Sequence, residues 1–243
     1  MPFTFAHPAL ILPLNYLPKR WFSLTGLVIG RMTQDFEYFI RMNIQSIYSH
    51  TFWGIFYFDL PLGILIAFVF HSIVRDSLYH NLPSFLKSRF SKFSNFDFNR
   101  YFKKNWIVVL ISVIIGAFSH ILWDSFTHET GYFVNEFPYL SENVSLFGQQ
   151  IVTYKILQHG STIIGGLIIV LAIVNMKNDL SQKSNISYKY WFSVLLIFIL
   201  VLATRFGVGL NYKLYGQVIV TAISAFIIAL ICTPLLLGCK KSK

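Results

Sequence analysis

The sequence has few charged residues for its length, and this scarcity decides the class of protein. Asp, Glu, Lys and Arg together make up 12% of the 243 residues, about half the share of an ordinary soluble domain. Hydrophobic residues make up 55%, and the mean hydropathy is +0.58. A soluble fold of this length has too little interior for so many apolar side chains, so we expect an integral membrane protein.

Cysteine is also scarce, and several motifs of soluble enzymes are missing. The two cysteines, Cys232 and Cys239, have no CxxC spacing and no histidine nearby, which argues against a cysteine-based metal or redox site. The sequence contains no glycine-rich phosphate loop, no GxSxG nucleophile motif and no internal repeat. Its first residues lack the basic and apolar regions of a secretory signal peptide, so insertion is expected to depend on internal segments.

Five apolar runs are long enough to cross a hydrocarbon core of about 30 Å. These spans are predicted at 52–73, 106–126, 151–175, 190–208 and 217–238. Residues 8–30 are also apolar but contain Pro8, Pro13 and Pro18, which favours a re-entrant or interfacial helical segment over a sixth span. The predicted fold is therefore an all-α, polytopic membrane helix bundle that forms a single domain over 1–243.

Basic residues are concentrated in alternate loops, and this pattern predicts the orientation of the chain. Loops 74–105 and 176–189 and the tail 239–243 are rich in Lys and Arg, whereas 127–150 contains neither. The positive-inside rule places the basic segments in the cytoplasm, with the C-terminus among them, in what we expect to be a bacterial inner membrane. Four basic residues before residue 51 do not fit this arrangement. The net charge of +10 belongs to these loops, so nucleic-acid binding is not expected.

The predicted domain has four parts along the chain. They are an outer-side or re-entrant segment 1–51, the spans 52–175 that carry the polar residues discussed below, two C-terminal spans within 190–238, and the basic tail 239–243. The long cytoplasmic loop at 80–104 is expected to form an amphipathic surface helix or to be partly disordered.

The second predicted span carries polar residues that are costly in a membrane. His120, Asp124 and His128 recur every four residues, so they form one stripe on a helix face. An ionisable residue at the centre of a span costs about 3 kcal/mol, which makes its presence an indication of function. An HxxxD pair brings an imidazole and a carboxylate to one point, as a metal ion requires. The alternative is that Asp124 only hydrogen-bonds a neighbouring span.

The predicted orientation brings further polar residues to the same membrane face. His120 lies about 21 Å along a span that enters from the cytoplasm, and His159 lies about 12 Å along one that enters from outside. The residues that can share this face are His7, Asp35, Glu37, His50, His120, Asp124, His128 and His159. Asp59 is expected to support a ligand histidine or to accept from backbone amides near a proline. His71 and His80 fall at the opposite face.

The order of these features resembles the domain of unknown function 4184 family. The matching segments are 2–9, 30–38, 49–50, 58–63, 119–128 and 158–159. More distantly, the order of His, Asp, His and HxxxD is similar to that of the membrane-bound metal-dependent hydrolase family and of the helical zinc-dependent phospholipase C type of site. This resemblance implies His7, Asp35, His50, His120 and Asp124 as metal ligands. Gln34 stands where that pattern has a proline.

From these observations we expect a membrane-bound metal-dependent hydrolase with an outward-facing site. Zinc is the expected ion, with manganese and iron as alternatives, because the ligands mix imidazoles with carboxylates. Glu37 and His128 are the candidates for general base and acid. Membrane lipid surrounds the chain, and the expected substrate is a phosphoester or a lipid-derived envelope compound.

Two non-enzymatic alternatives remain open. One is a component of a transporter or of an ion or proton relay, and the other is a structural protein in which a metal holds helices together. Polar residues gathered at one face favour a site over a permeation path.

Overall fold

The computed structural model describes residues 4–18, 20–146, 148–179, 181 and 186–238, and most of these are helical. Cys239 and the predicted basic tail 239–243 lie outside the described residues. The helices are α1 (Leu24–Thr33), α2 (Phe36–Arg41), α3 (Ile55–His80), α4 (Ser84–Phe90), α5 (Phe98–Thr127), α6 (Tyr132–Glu136), α7 (Thr153–Val174), α8 (Tyr188–Gly207) and α9 (Tyr215–Leu237). The predicted all-α class is confirmed.

Five helical stretches are long and apolar enough to cross a membrane. They are Ile55–His80, Phe98–Glu136, Thr153–Val174, Tyr188–Gly207 and Tyr215–Leu237. The five predicted spans are thus confirmed as helices, although the first two are longer than predicted. In the 18-residue apolar stretch of α7 and in that of α8, only 11% of the residues are buried. Such exposure is expected of helices that face lipid rather than a protein core.

Short helices fill the N-terminal region, as the prolines predict. Two 3-10 helices, Thr4–Leu10 and Leu12–Tyr16, precede α1, and each contains a proline. Ser23 caps α1 by accepting a hydrogen bond from the Gly26 N–H at 3.3 Å. The ten residues of α1 reach only about 15 Å, too little to cross the bilayer. The predicted short helical segment is therefore present, and the described residues form no sixth span there.

The segment predicted as a surface helix or as partly disordered is folded. Helix α4 and a 3-10 turn at Ser91–Phe93 occupy it, and α5 already begins at Phe98. The Arg75 guanidinium donates to the carbonyls of Phe96 and Ser94, which fixes the chain before α5. Helix α5 then bends at Asn105, where φ is −132° and ψ is 29°. The bend falls one residue before the predicted start of the span.

A single antiparallel hairpin is the described β structure, in the loop before α7. Strand β1 (Asn143–Leu146) pairs with β2 (Gln149–Val152), with Asn143 opposite Val152. Gly148 sits in the connecting turn at a φ of +78°, a conformation that suits glycine. The sequence interpretation did not include this hairpin.

The described residues divide into two compact units. Unit 1 contains Met1–Asp35, Tyr48–Ile64 and Asn105–Ala172, and unit 2 contains Phe36–Ile47, Leu65–Lys104 and Ile173–Lys243. Each unit is built from three separate stretches, so no linker of the sequence separates them.

In unit 1, glycines allow α1 to pack against α5 at backbone distance. A Cβ added at Gly26 would lie 2.8 Å from the Cβ of Ser112, and one added at Gly116 would lie 2.7 Å from the Arg31 nitrogen. Gly30 likewise faces the Val113 backbone. Small residues of this kind let membrane helices approach closely and gain dispersion contacts. This packing brings the C-terminal end of α1 beside the middle of α5.

Unit 2 is held by α9, which contacts both α8 and α2. Val194 of α8 and Ala229 of α9 are buried in one apolar cluster. The Ser224 hydroxyl of α9 donates to the Phe39 carbonyl at 2.7 Å. Near the N-terminal end of α8, the Trp191 indole donates to the Asn81 carbonyl at 2.9 Å.

The α1–α5 contact predicts a large effect from one added methyl group. We expect Gly116→Ala to lower the free energy of unfolding by about 1–3 kcal/mol, because the helices must separate to admit the Cβ. Gly166→Ala on α7 is the matched control, since an added Cβ there meets no atom within 4 Å. Thermal unfolding of both purified variants in detergent measures the difference. An unchanged midpoint for Gly116→Ala would contradict the described packing.

Candidate metal site

The five residues implied as metal ligands come together in unit 1. His7 comes from the first 3-10 helix, Asp35 follows α1, and His50 lies in the loop before α3. His120 and Asp124 lie one turn apart on α5. Four separate stretches of chain therefore contribute to one cluster.

The distances between their polar atoms are those expected of ligands around a shared ion. The His120 Nε2 lies 3.2 Å from the Asp124 Oδ2 and 3.8 Å from the Asp35 Oδ1. The His50 Nε2 lies 3.7 Å and 3.8 Å from the same two oxygens. Three of these four distances are too long for hydrogen bonds. Ligand atoms at about 2.1 Å from one tetrahedral ion would lie about 3.4 Å apart.

Two groups of three residues satisfy this condition among the described residues. They are His7 with Asp35 and His120, and His50 with His120 and Asp124. Within each group the possible ligand atoms all lie within 4.8 Å of one another. His120 belongs to both groups, so it occupies the centre of the cluster.

The cluster is buried, and several of its polar atoms make no hydrogen bond with the described residues. Asp35 and His120 are 0% exposed, and His7 is 5% exposed. The atoms without a hydrogen-bond partner include the Nε2 of His7 and the Oδ1 of Asp124. Buried polar atoms in this state cost free energy unless something binds them. Either a cation binds here or a protonated imidazole stabilises the two carboxylates.

Hydrogen bonds to the opposite ring nitrogens orient two of the histidines. The His120 Nδ1 lies 2.6 Å from the Arg31 carbonyl, which can only accept, so Nδ1 carries the proton and Nε2 faces the carboxylates. The His50 Nδ1 lies 2.9 Å from the Ser49 hydroxyl, which leaves its Nε2 directed at the same oxygens. Metal-ligating histidines commonly have such a partner on the second nitrogen.

Ring packing fixes His7 in the cluster. Its ring stacks on that of His120, with centroids 4.2 Å apart and an interplanar angle of 22°. Burial lowers the pKa of His7 to about 2. The imidazole of His7 is therefore neutral at physiological pH, as a metal ligand must be.

Two further groups near the cluster have pKa values shifted by burial. Burial raises the pKa of Asp35 to about 6, against the lowering effect of His120, so this carboxyl is mostly ionised at neutral pH. Burial lowers the pKa of the Arg31 guanidinium to about 10, so its positive charge remains. The cluster therefore contains anionic oxygen ligands and a fixed cation nearby.

His128 lies at the edge of the cluster, next to Asp124. Its Nδ1 is 3.6 Å from the Asp124 Oδ1, and its side chain is 30% exposed. Its Nε2 lies 3.4 Å from the amide nitrogen of the buried Gln158. An imidazole that touches a candidate ligand and also reaches the surface is placed for proton transfer.

Glu37, the other predicted catalytic residue, lies in unit 2. Its carboxylate accepts hydrogen bonds from the Arg41 Nε and the Ile47 N–H, each at 2.9 Å, and from the Ser46 hydroxyl at 3.2 Å. These three donors are local, and they close the turn that follows α2. The described contacts of Glu37 are those of a structural carboxylate, and they give no support to its predicted role as a base.

His159, which the sequence interpretation allowed on the same membrane face, is not among the residues that meet in the described cluster. His159 is exposed on α7, whereas the preceding Gln158 is buried and contacts His128. Asp59, predicted as a supporting group, is 0% exposed in unit 1. His71 lies in unit 2, where it stacks on Phe98 with ring centroids 4.6 Å apart. It takes no part in the described cluster, as the sequence interpretation expected.

Arg31 is a site residue that the sequence interpretation missed. Its side chain is 1% exposed, and its Nε and Nη1 make no hydrogen bond with described residues. Its carbonyl orients His120, as described above. The available signal was a lone basic residue in an apolar helix, four positions before Asp35.

The fold and the site define a helical, multi-pass membrane protein with a buried cluster of histidines and aspartates. The family model described as "Domain of unknown function (DUF4184)" matches residues 1–235, and the chain belongs to this family. No curated protein and no solved structure matches the chain. The more distant similarity to metal-dependent hydrolases therefore stays a prediction.

Proposed function

We propose that this protein is a membrane-bound metal-dependent hydrolase. Its ligands are His7, Asp35, His50, His120 and Asp124. The observation that carries the proposal is the spacing of the His50 and His120 Nε2 atoms from the carboxylate oxygens, since three of the four distances exceed hydrogen-bond length and suit ligands of a shared ion. The donor set mixes imidazole and carboxylate, so zinc is the first choice, with manganese or iron as alternatives.

The number of ligands favours more than one ion. Three imidazoles and two carboxylates exceed the four ligands of a tetrahedral shell. The two groups of three share His120, whose Nε2 can bind only one ion, so a second ion would be held by the carboxylates and the remaining histidines. This supports a site for two ions or for one ion of higher coordination number.

The proposed reaction is hydrolysis of a phosphoester. When bound, the ion lowers the pKa of water and stabilises negative charge on a phosphoryl oxygen. In the hydrolysis the oxygen of water bonds to phosphorus, the ester P–O bond breaks, and the leaving alcohol takes up a proton. His128 is the residue placed to carry that proton, because it contacts Asp124 and remains partly exposed.

A structural metal is the second candidate, because Asp35 and His120 are fully buried. A metal that only holds helices together needs no access from outside. His50 distinguishes the two possibilities, since 22% of its side chain is exposed at the edge of the cluster. Access along His50 and His128 favours an enzyme.

Metal analysis tests the first step of the proposal. We expect the purified wild type to contain at least one equivalent of zinc, manganese or iron, and His120→Ala and Asp124→Ala to lose most of it, because each removes a central ligand. His159→Ala is the matched control, since this histidine is exposed outside the cluster. Equal metal content in all four proteins, measured by mass spectrometry, would overturn the proposal.

Replacement of His128 tests the chemical step. We expect His128→Ala to keep its metal and to hydrolyse 4-methylumbelliferyl phosphate about 10²–10⁴ times more slowly than the wild type, because general acid–base catalysis contributes that much. Metal content measured on the same sample excludes loss of the ion. A metal-loaded wild type with no phosphoester hydrolysis would leave the structural metal as the better account.

We also propose that the chain lies in a bacterial inner membrane with its C-terminus in the cytoplasm. The alternation of basic and non-basic loops supports this orientation. A green fluorescent protein fused to the C-terminus is expected to fluoresce, and alkaline phosphatase at the same place is expected to be inactive. The reverse pattern would place the candidate site on the cytoplasmic side.

A further inference from the structure

A mostly apolar groove lies beside the candidate metal site in unit 1. Its volume is about 570 Å³, within the range of about 300–1,000 Å³ that is typical of sites for small ligands. One wall is the N-terminal 3-10 region, and the other is one face of α7. His7 and Arg31 belong to the lining, so the groove adjoins the cluster directly.

The α7 wall has the spacing of a single helix face. Leu157, Gly160, Ile164 and Ile168 follow one another at intervals of three or four residues. Ile164 is 60% exposed, and α7 is one of the five helices suited to cross the membrane. The outer rim of the groove therefore lies where lipid chains surround the protein.

Glycines give the groove its depth. A Cβ added at Gly160 would meet no atom within 4 Å, so the space in front of this residue is open. A Cβ added at Gly165 would lie 2.7 Å from the Ala6 carbonyl oxygen, so here the first 3-10 helix closes onto α7. The groove is thus open at Gly160 and narrow one turn further along.

Arg31 supplies a positive charge at the inner end of the groove. Its side chain lines the groove beside His7 and is buried. Its Nε and Nη1 are buried without a hydrogen-bond partner among the described residues, and a guanidinium suits phosphate through paired hydrogen bonds.

We propose that this groove binds an anionic phospholipid, with one acyl chain along α7 and the phosphate at Arg31. The inference rests on the proposed function, because it places the phosphoester of the lipid beside the candidate metal ligands. It also names the substrate class of that site, a lipid phosphoester taken from the membrane. The groove itself does not depend on a bound ion.

A photoactivatable lipid tests the acyl-chain part of the proposal. The probe is lysophosphatidic acid with a diazirine in its chain, added to the full-length protein in detergent. We expect labelling within 156–168, located by mass spectrometry. Gly160→Leu should reduce this labelling at least about tenfold by filling the open space. Gly166→Leu is the matched control, since it adds the same side chain to α7 at an open position outside the groove lining.

A second pair of probes tests the role of Arg31. Arg31→Gln should reduce labelling by lysophosphatidic acid about tenfold, because a charge-assisted hydrogen bond is lost. Labelling by an uncharged monoacylglycerol with the same diazirine chain should not change. Equal loss for both probes would mean that Arg31 only supports the fold, and it would overturn the assignment of the phosphate to this residue.

The outcomes separate this inference from the proposed function. Equal labelling of Gly160→Leu and Gly166→Leu would overturn the groove as the acyl-chain site, whatever the metal content. Labelling of a wild type that contains no metal would support the groove and overturn the metal-dependent hydrolase. A metal-loaded protein that is never labelled would overturn the groove as a lipid site and leave the metal-dependent hydrolase standing. His120→Ala should lose metal and keep the labelling.

Discussion

The close packing of α1 against α5 is the constraint on which the site depends. Gly26, Gly30 and Gly116 let the two backbones approach to a distance that no larger residue permits. At this distance the carbonyl of Arg31, at the last turns of α1, reaches the His120 ring on α5. Asp35 follows immediately and faces the same ring. A contact between helices thereby sets both the position of a candidate ligand and the orientation of another.

The apolar surroundings make the carboxylates of the cluster costly to bury. In an interior of low dielectric, two carboxylates repel each other and lose their hydration, and both effects cost free energy. Without a cation, only hydrogen bonds can offset this cost. Here Asp35 is fully buried, and the Oδ1 of Asp124 makes no hydrogen bond with the described residues. A divalent ion, or one protonated imidazole, removes this cost. Three of the distances from the carboxylate oxygens to the Nε2 atoms of His50 and His120 are too long for hydrogen bonds, which favours a divalent ion over a protonated imidazole.

The helices and the residues of the cluster could be predicted from the sequence. The residues that surround the cluster, such as Arg31 and Gln158, could not. Hydropathy depends on local composition, and the HxxxD pair lies within one helix, so both could be recognised without a fold. The burial of Arg31 depends on the α1–α5 contact, which no local pattern reveals. The inward face of α7 is likewise set by packing, since Gly165 meets Ala6, and this turns Gln158 rather than His159 toward the cluster. Glu37 is two residues from Asp35 in sequence, but its described hydrogen bonds come from Arg41 at the end of α2 and from the turn that follows.

Arg31 contributes to the site through two chemically separate parts of one residue. The carbonyl that orients His120 is present whatever amino acid stands at position 31, whereas the guanidinium belongs to arginine alone. A substitution at this position can therefore change the charge beside the groove and still keep the backbone carbonyl that orients His120. Charge at the groove and orientation of the histidine are thus set by separate atoms, although one residue carries both.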